Sequence, residues 1–330
     1  MSTVTRRLAA GVCAAIVSVS IASAARATTL YASSFEGASL WKVDTVAMTA
    51  TQIWNTAPVG QQPDSLCFDS AGNILYSAHF PGGGVRSVNL GASTDTVVAT
   101  WAGHSTDVAL EPSLTTVLCS DYIDPNLRRV SLSGGATVLA SGRYFSGLAY
   151  VGNRLFANAG NTFQHGGDRI LELNPVTGAV LNQSAANPAG VNTIGDLDAM
   201  TYDGFTGHLW STDEDAGALI ETNPNTLATT THFLPANVVG GPMLPDGICG
   251  NSAGKLWYAS RGDFNVYEYD ITAGTSTMIV HINGLDDLAP ASGPGSFPEP
   301  SVMAMTLFAA PLLLRRRRPT DAMHVQPRSW

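Results

Sequence analysis

Lysine is almost missing from this 330-residue chain: only Lys42 and Lys255 occur, and charged residues of all kinds make up 13%. Seven of the seventeen basic residues (Arg6, Arg7, Arg315 to Arg318 and Arg328) stand near the two ends, so the middle is strongly acidic within a formal net charge of −9. Nucleic-acid binding demands clustered Lys and Arg against phosphates, and no basic stripe exists here, which excludes that class. Cysteine is scarce too. Of Cys13, Cys67, Cys119 and Cys249 no two have metal-ligand spacing, so neither a zinc site nor a disulfide framework is encoded. The last three sit in apolar, strand-like segments and read as buried free thiols. A serine-nucleophile elbow and a phosphate-cradling glycine loop are also absent. What the chain has is apolar content, 45%, enough for a large core.

Residues 1–27 read as a secretory signal: Arg6 and Arg7, a small and apolar run from Leu8 to Ser23, then an "ARA" cleavage site ending at Ala27. The run is apolar all round, unlike an amphipathic first helix. Paired arginines leave the Sec and Tat routes both open. At the other end, Val302 to Leu314 gives 13 uncharged residues, short of the ~20 that span a bilayer comfortably. Arginines placed directly after such a segment stay cytoplasmic, so it would hold the chain in the inner membrane with the body outside.

The order Pro298–Glu299–Pro300, apolar segment, Arg315–Arg316–Arg317–Arg318 resembles the PEP-CTERM sorting signal. The resemblance implies a sorting enzyme, exosortase, that releases the protein to the cell surface or extracellular matrix. The apolar run is shorter than the pattern, Pro311 interrupts it, and twelve residues follow Arg318, the last of the cluster. A plain tail anchor is the alternative.

Between these ends one short pattern recurs six times: "PDSLCFD", "STDVALEP", "FSGLAYV", "LDAMTYD", "PDGICGN" and "LDDLAPA". Its aliphatic anchors, Leu66, Val108, Leu148, Met200, Ile248 and Leu288, are separated by 42, 40, 52, 48 and 40 residues. That is the length of a four-stranded propeller blade. Each anchor is followed by a second apolar segment such as "NILYSA" or "KLWYAS", then an alternating one such as "VRSVNL" or "RILELN", then a β-branched one such as "TVVATW". The N-terminal segments "LYASS", "SLWKVD" and "TQIW" supply three strands of a blade that lacks its first, and "GLDDLAP" supplies that one. The expectation is an all-β, six-bladed β-propeller over residues 28–290, closed by N- and C-terminal strands in one blade. A Pro/Gly/Ser linker with the PEP motif (291–300), a short apolar helix with its Arg cluster (301–318) and a tail (319–330) follow.

In such blades the start of the first strand and the loop joining strands two and three share one face. The leading residues, two before each anchor, are Asp64, Thr106, Ser146, Asp198, Asp246 and Asp286, with Asp196 and Asp287 alongside. Asp64, Asp198, Asp246 and Asp286 in one funnel mouth would repel one another unless a cation such as Ca2+ or another divalent ion neutralised them. The alternative is that each caps a turn through local backbone amides. The loops add His79, Asp121, Tyr122, His165, Asp213, Arg261 and Asp263 as a rim suited to a polar ligand or partner. Asp213, Glu214 and Asp215 taken alone suit a solvated turn.

The stretch "PDGICGNSAGKLWYASRGDFNVYEYD" resembles a blade of the gluconolactonase/regucalcin superfamily and of related NHL and lyase-type propellers. In the gluconolactonase-like enzymes the Asp of one such "PDG" binds a divalent metal, and the resemblance carries that role to Asp246. Those enzymes add a Glu and an Asn from other blades, where this chain offers only Asp, Thr and Ser. The expected function is an exported binding module of the envelope or matrix. A metal-dependent lactonase, esterase or lyase is the alternative.

Overall fold

In the computed structural model the described residues are 29–80, 82–121, 123–160, 168–186 and 196–290. The segment expected as a signal (1–27), Tyr122, His165, the expected linker with Pro298 to Pro300, and the apolar segment with Arg315 to Arg318 lie outside them. Among the described residues there are twenty-four strands and one short 3-10 turn, Ala57–Val59, and no helix is long and apolar enough to cross a membrane.

The strands form six antiparallel four-stranded sheets, each built from strands consecutive in the chain except one. That one joins β24 (Leu285–Pro290) to β1 (Thr29–Ser34), β2 (Ser39–Asp44) and β3 (Thr49–Asn55). Leu30 faces Pro290, Tyr31 faces Ala289 and Ala32 faces Leu288, so the two ends of the domain close the ring in one blade as the sequence requires. Closure removes the open edges that first and last blades would otherwise present.

The core is divided among the blade interfaces. Six apolar clusters each draw on two neighbouring blades: Leu30, Val43 and Leu288 of the closing blade meet Cys249, Trp257 and Val266 of the blade before it, and Trp210 and Leu219 meet Ile248, Tyr258 and Tyr267. The six anchors are all buried. Period-two alternation appears in the half-buried outer strands and gives way to continuous burial in the second strands, such as Lys255–Ser260, which are covered on both faces.

Polar clasps repeat at the interfaces. Arg129 grips Glu111 with two bonds of 2.7 and 2.8 Å and donates to the Pro175 carbonyl of the next blade's Asn-Pro turn. Arg154 grips Glu172 at 2.7 Å and donates to the Pro224 carbonyl of the following Asn-Pro turn at 2.7 Å. Cys119 and Cys249 are buried and Cys67 half-buried, all as free thiols.

Candidate functional site

Each innermost strand slips by one residue against its neighbour at the same place. Leu197 pairs with Asp213 and Met200 with Ser211, three residues advancing against two, and the same slip precedes Leu66, Val108, Leu148, Ile248 and Leu288. Such bulges kink a strand and re-aim a side chain. The leading residues Asp64, Thr106, Ser146, Asp198, Asp246 and Asp286 accordingly line one cavity of about 350 Å3 at the ring axis. Phe35, His79, Asp196, Glu214 and Arg261 complete its wall.

A hydrogen-bonded belt holds the bulges. Ser77 on the second strand of its blade accepts the Ser65 N–H at 2.8 Å and donates to the Thr106 carbonyl of the next blade at 2.6 Å. Ser33 takes the Asp287 N–H at 2.9 Å and donates to the Asp64 carbonyl, and Thr212 takes the Ala199 N–H at 3.1 Å and donates to the Asp246 carbonyl. Asn158 reaches the Asp198 carbonyl at 2.8 Å. Where a bulge passes closest to the next blade the residue is glycine: a Cβ on Gly147 would lie 2.3 Å from the Asp198 carbonyl oxygen, and one on Gly247 2.1 Å from Asp287 Oδ1.

The electrostatics are lopsided. Four consecutive blades offer carboxyls (Asp198, Asp246, Asp286, Asp64), and the remaining two offer the hydroxyls of Thr106 and Ser146. Burial, reinforced by repulsion from the neighbouring acids, pushes all four carboxyls well above the usual range. The acids act on one another in turn, Asp64 on Asp286, Asp286 on Asp246 and Asp246 on Asp198, each repelling the charge of the next and raising it. Burial also raises Glu214. Arg261 is the arc's cation, with Nε 3.5 Å from Asp246 and an Nη 3.5 Å from Glu214. Asp246 above all holds that guanidinium charged. His79 Nδ1 lies 2.7 Å from Asp64, its ring packed edge-on to Phe35, and burial lowers it to about 4.

The sequence-derived acids Asp64, Asp198, Asp246 and Asp286 are thus brought together, with His79 and Arg261 beside them. Asp121 and Asp213 are not part of the wall. Asp121 is wholly buried, with Oδ1 accepting the N–H groups of His104, Ile123 and Asp124 and Oδ2 the Trp101 indole at 2.8 Å. Asp213 is wholly buried and accepts the Ala216 N–H at 3.0 Å, so the acidic turn is anchored by a core residue, while Glu214 reaches the cavity. Asp263 accepts from Tyr267 Oη at 2.5 Å within its own turn. Among the described residues no three His, Cys, Asp or Glu side chains converge closely enough to hold a metal ion, so the arc is no preformed chelate.

Beneath the arc lies a second tier: Ser65, Asp107 and Asp287. Ser65 Oγ donates to Asp107 Oδ1 at 2.6 Å, and Asp107 also accepts the N–H groups of Val108 at 2.7 Å and, from the next blade, Leu148 at 2.5 Å. Burial pushes Asp107 up to about 6, and burial together with Asp107 pushes Asp287 up to about 7. Phe35, Ser65 and Asp107 escaped sequence reasoning, while Asp287 was named beside the leading acids but not as part of a second tier. The tier's signal was the residue after each leading position, where Asp107 and Asp287 stand out among Ser, Gly and Ala.

No family model matches the chain and no curated protein matches it. Solved structures do. A chain of a nidogen/laminin complex aligns with a TM-score of 0.64 at 14% identity, over 80% of this chain and 98% of that one. A protein of unknown function from Bacteroides caccae gives 0.56 at 13% identity, over 80% and 98%. A virginiamycin B lyase from Staphylococcus aureus gives 0.51 at 15% identity, over 67% and 70%. The likeness is one of fold. This chain is an all-β, six-bladed propeller.

Proposed function

We propose that the chain is an exported binding module of the cell envelope or extracellular matrix, and that its acid-lined mouth captures a cationic group presented by a partner. The observation that carries this is the convergence of carboxyls from four consecutive blades, with Glu214, on a cavity whose basic lining residues, among the described residues, are Arg261 and a His79 held neutral. An incoming ammonium or guanidinium displaces protons from the raised carboxyls and offsets the penalty that burial and mutual repulsion place on their charged forms. A chain of a nidogen/laminin complex shares the fold, which supports a role in binding among extracellular proteins.

In the same proposal the Pro298–Glu299–Pro300 motif and the Arg315 to Arg318 cluster direct the protein through the inner membrane to an exosortase-like enzyme. Delivery to the periplasm, cell surface or extracellular space follows. Intact mass of protein isolated from its native envelope tests that step: loss of the segment from Val302 onward is expected, and a mass that retains Arg315 to Trp330 contradicts it.

The mouth is tested with fluorescently labelled short peptides carrying lysine or arginine. Saturable binding is expected that weakens as salt shortens the Debye length from ~10 Å at 0.1 M to ~3 Å at 1 M. It should fall at least about tenfold, some 1.4 kcal/mol, in an Asp198→Asn/Asp246→Asn double variant. Absence of binding at low salt, or equal binding by the variant, contradicts the reading.

A second reading, a metal-dependent hydrolase or lyase acting through Asp246 with Asp198, Asp64 or Asp286, draws on the placement of those four side chains in one cavity and on the fold shared with a virginiamycin B lyase. It requires the carboxyls to deprotonate and close on an ion. A divalent cation at a hundred times its dissociation constant would add about 2.7 kcal/mol of stability. No thermal shift with calcium, magnesium, manganese or zinc removes that reading.

A further inference from the structure

Ser65, Asp107 and Asp287 line one end of a separate cavity of about 130 Å3. Its wall is apolar, formed by the anchors Leu66, Leu148, Met200, Ile248 and Leu288. At its far end, toward the face opposite the acid mouth, stand Tyr150 and Tyr202. Its inner end is formed by the two buried carboxyls. An apolar hole of about this size takes up small apolar guests from water. A carboxyl at its end would oppose such uptake unless the guest supplied a compensating charge or hydrogen bond.

A second observation points to such a guest. Asp287 lines this cavity, is 8% exposed, and its Oδ1 has no hydrogen-bond partner among the described residues. Asp107, by contrast, is satisfied by Ser65, Val108 and Leu148. Buried carboxylate oxygens are normally bonded, and leaving one bare is costly.

We propose that this lower cavity is a binding site for a primary alkylammonium group, with the ammonium against Asp287 and Asp107 and a short carbon chain along the anchors. An ammonium brings three donors and no acceptor, which suits a bare carboxylate oxygen beside a second carboxyl. The wall beyond has no charged group to reject the chain. The raised affinity of Asp287 for its proton, caused by burial and by Asp107, is the penalty that a bound cation would offset. The site is distinct from the acid mouth: the two share no lining residue.

Calorimetric titration of the purified full-length chain with n-butylammonium chloride, and in parallel with n-butanol, at pH 8 tests the assignment. Saturable butylammonium binding is expected, at least about tenfold tighter than butanol. Asp287→Asn should abolish that preference. Thr201→Phe, at a half-buried wall position, should block both ligands without touching the carboxyls. The assignment is overturned by no saturable binding, by equal binding of amine and alcohol, by binding that survives Thr201→Phe, or by binding that Asp287→Asn leaves intact.

Discussion

Replacing Asp287 by asparagine removes a titrating group from the centre of the ring while keeping its shape and one amide oxygen to accept a bond. In the folded chain Asp287 titrates at about 7 instead of 3.8, burial being the main cause and Asp107 the next. A carboxyl raised in this way holds its proton more tightly folded than unfolded, so its contribution to stability is complete below 3.8 and is lost as pH rises through about 7. The span from 3.8 to about 7, at 1.36 kcal/mol per pH step, corresponds to about 4 kcal/mol as a ceiling. The variant suffers no such loss. Its stability relative to the wild type should therefore climb between pH 4 and pH 8 by up to about 4 kcal/mol, whatever constant offset the altered hydrogen bonding adds. Urea unfolding at a series of pH values, followed by the fluorescence of buried Trp210 and Trp257, measures the difference directly. Parallel stability curves across that range would refute the claim that Asp287 is held protonated by its surroundings.

Two further outcomes follow from the ring's construction. Gly247→Ala should destabilise by several kcal/mol, because the new Cβ would lie 2.1 Å from Asp287 Oδ1 and 2.3 Å from its Cα, and backbone cannot yield as a flexible side chain does; denaturant midpoints of this variant and of a Gly250→Ala control, where the nearest atom is the far end of Leu256 at 3.1 Å, separate the two cases. Ser77→Ala strips a bond from the Ser65 N–H and another from the Thr106 carbonyl, both buried, and should cost about 2–4 kcal/mol by thermal unfolding, with amide exchange at Ser65 accelerated before any other strand.

The ring itself was legible because it repeats. Six anchors at blade-length steps fixed the number of sheets, and the three strands left without a first partner at the N-terminus forced the closure that Leu30 and Pro290 now make. The mouth was half legible. Leading residues could be named, since an acid or hydroxyl two positions before each anchor recurs, but the bulge that aims them is a register event spread over two strands. The same limit explains Asp121 and Asp213. An aspartate that clasps its own turn and one that faces a cavity have the same local sequence, and only the fold distinguishes Asp121, saturated by four donors, from Asp246, facing Arg261 across 3.5 Å. Asp107 was hidden for another reason: its partner, the Leu148 N–H, comes from the next blade, while Asp287, legible beside Asp286, packs against Gly247 of the preceding blade.

The direct measurement of the central claim is calorimetric titration of the full chain with an arginine-bearing peptide at pH 7 in two buffers of different ionisation enthalpy. A guanidinium that enters the acid mouth must expel protons held by the raised carboxyls of Asp64, Asp286, Asp246 and Asp198, so the observed heat should differ between buffers by an amount matching proton release. Heat that is the same in both buffers, or no heat at all, contradicts it.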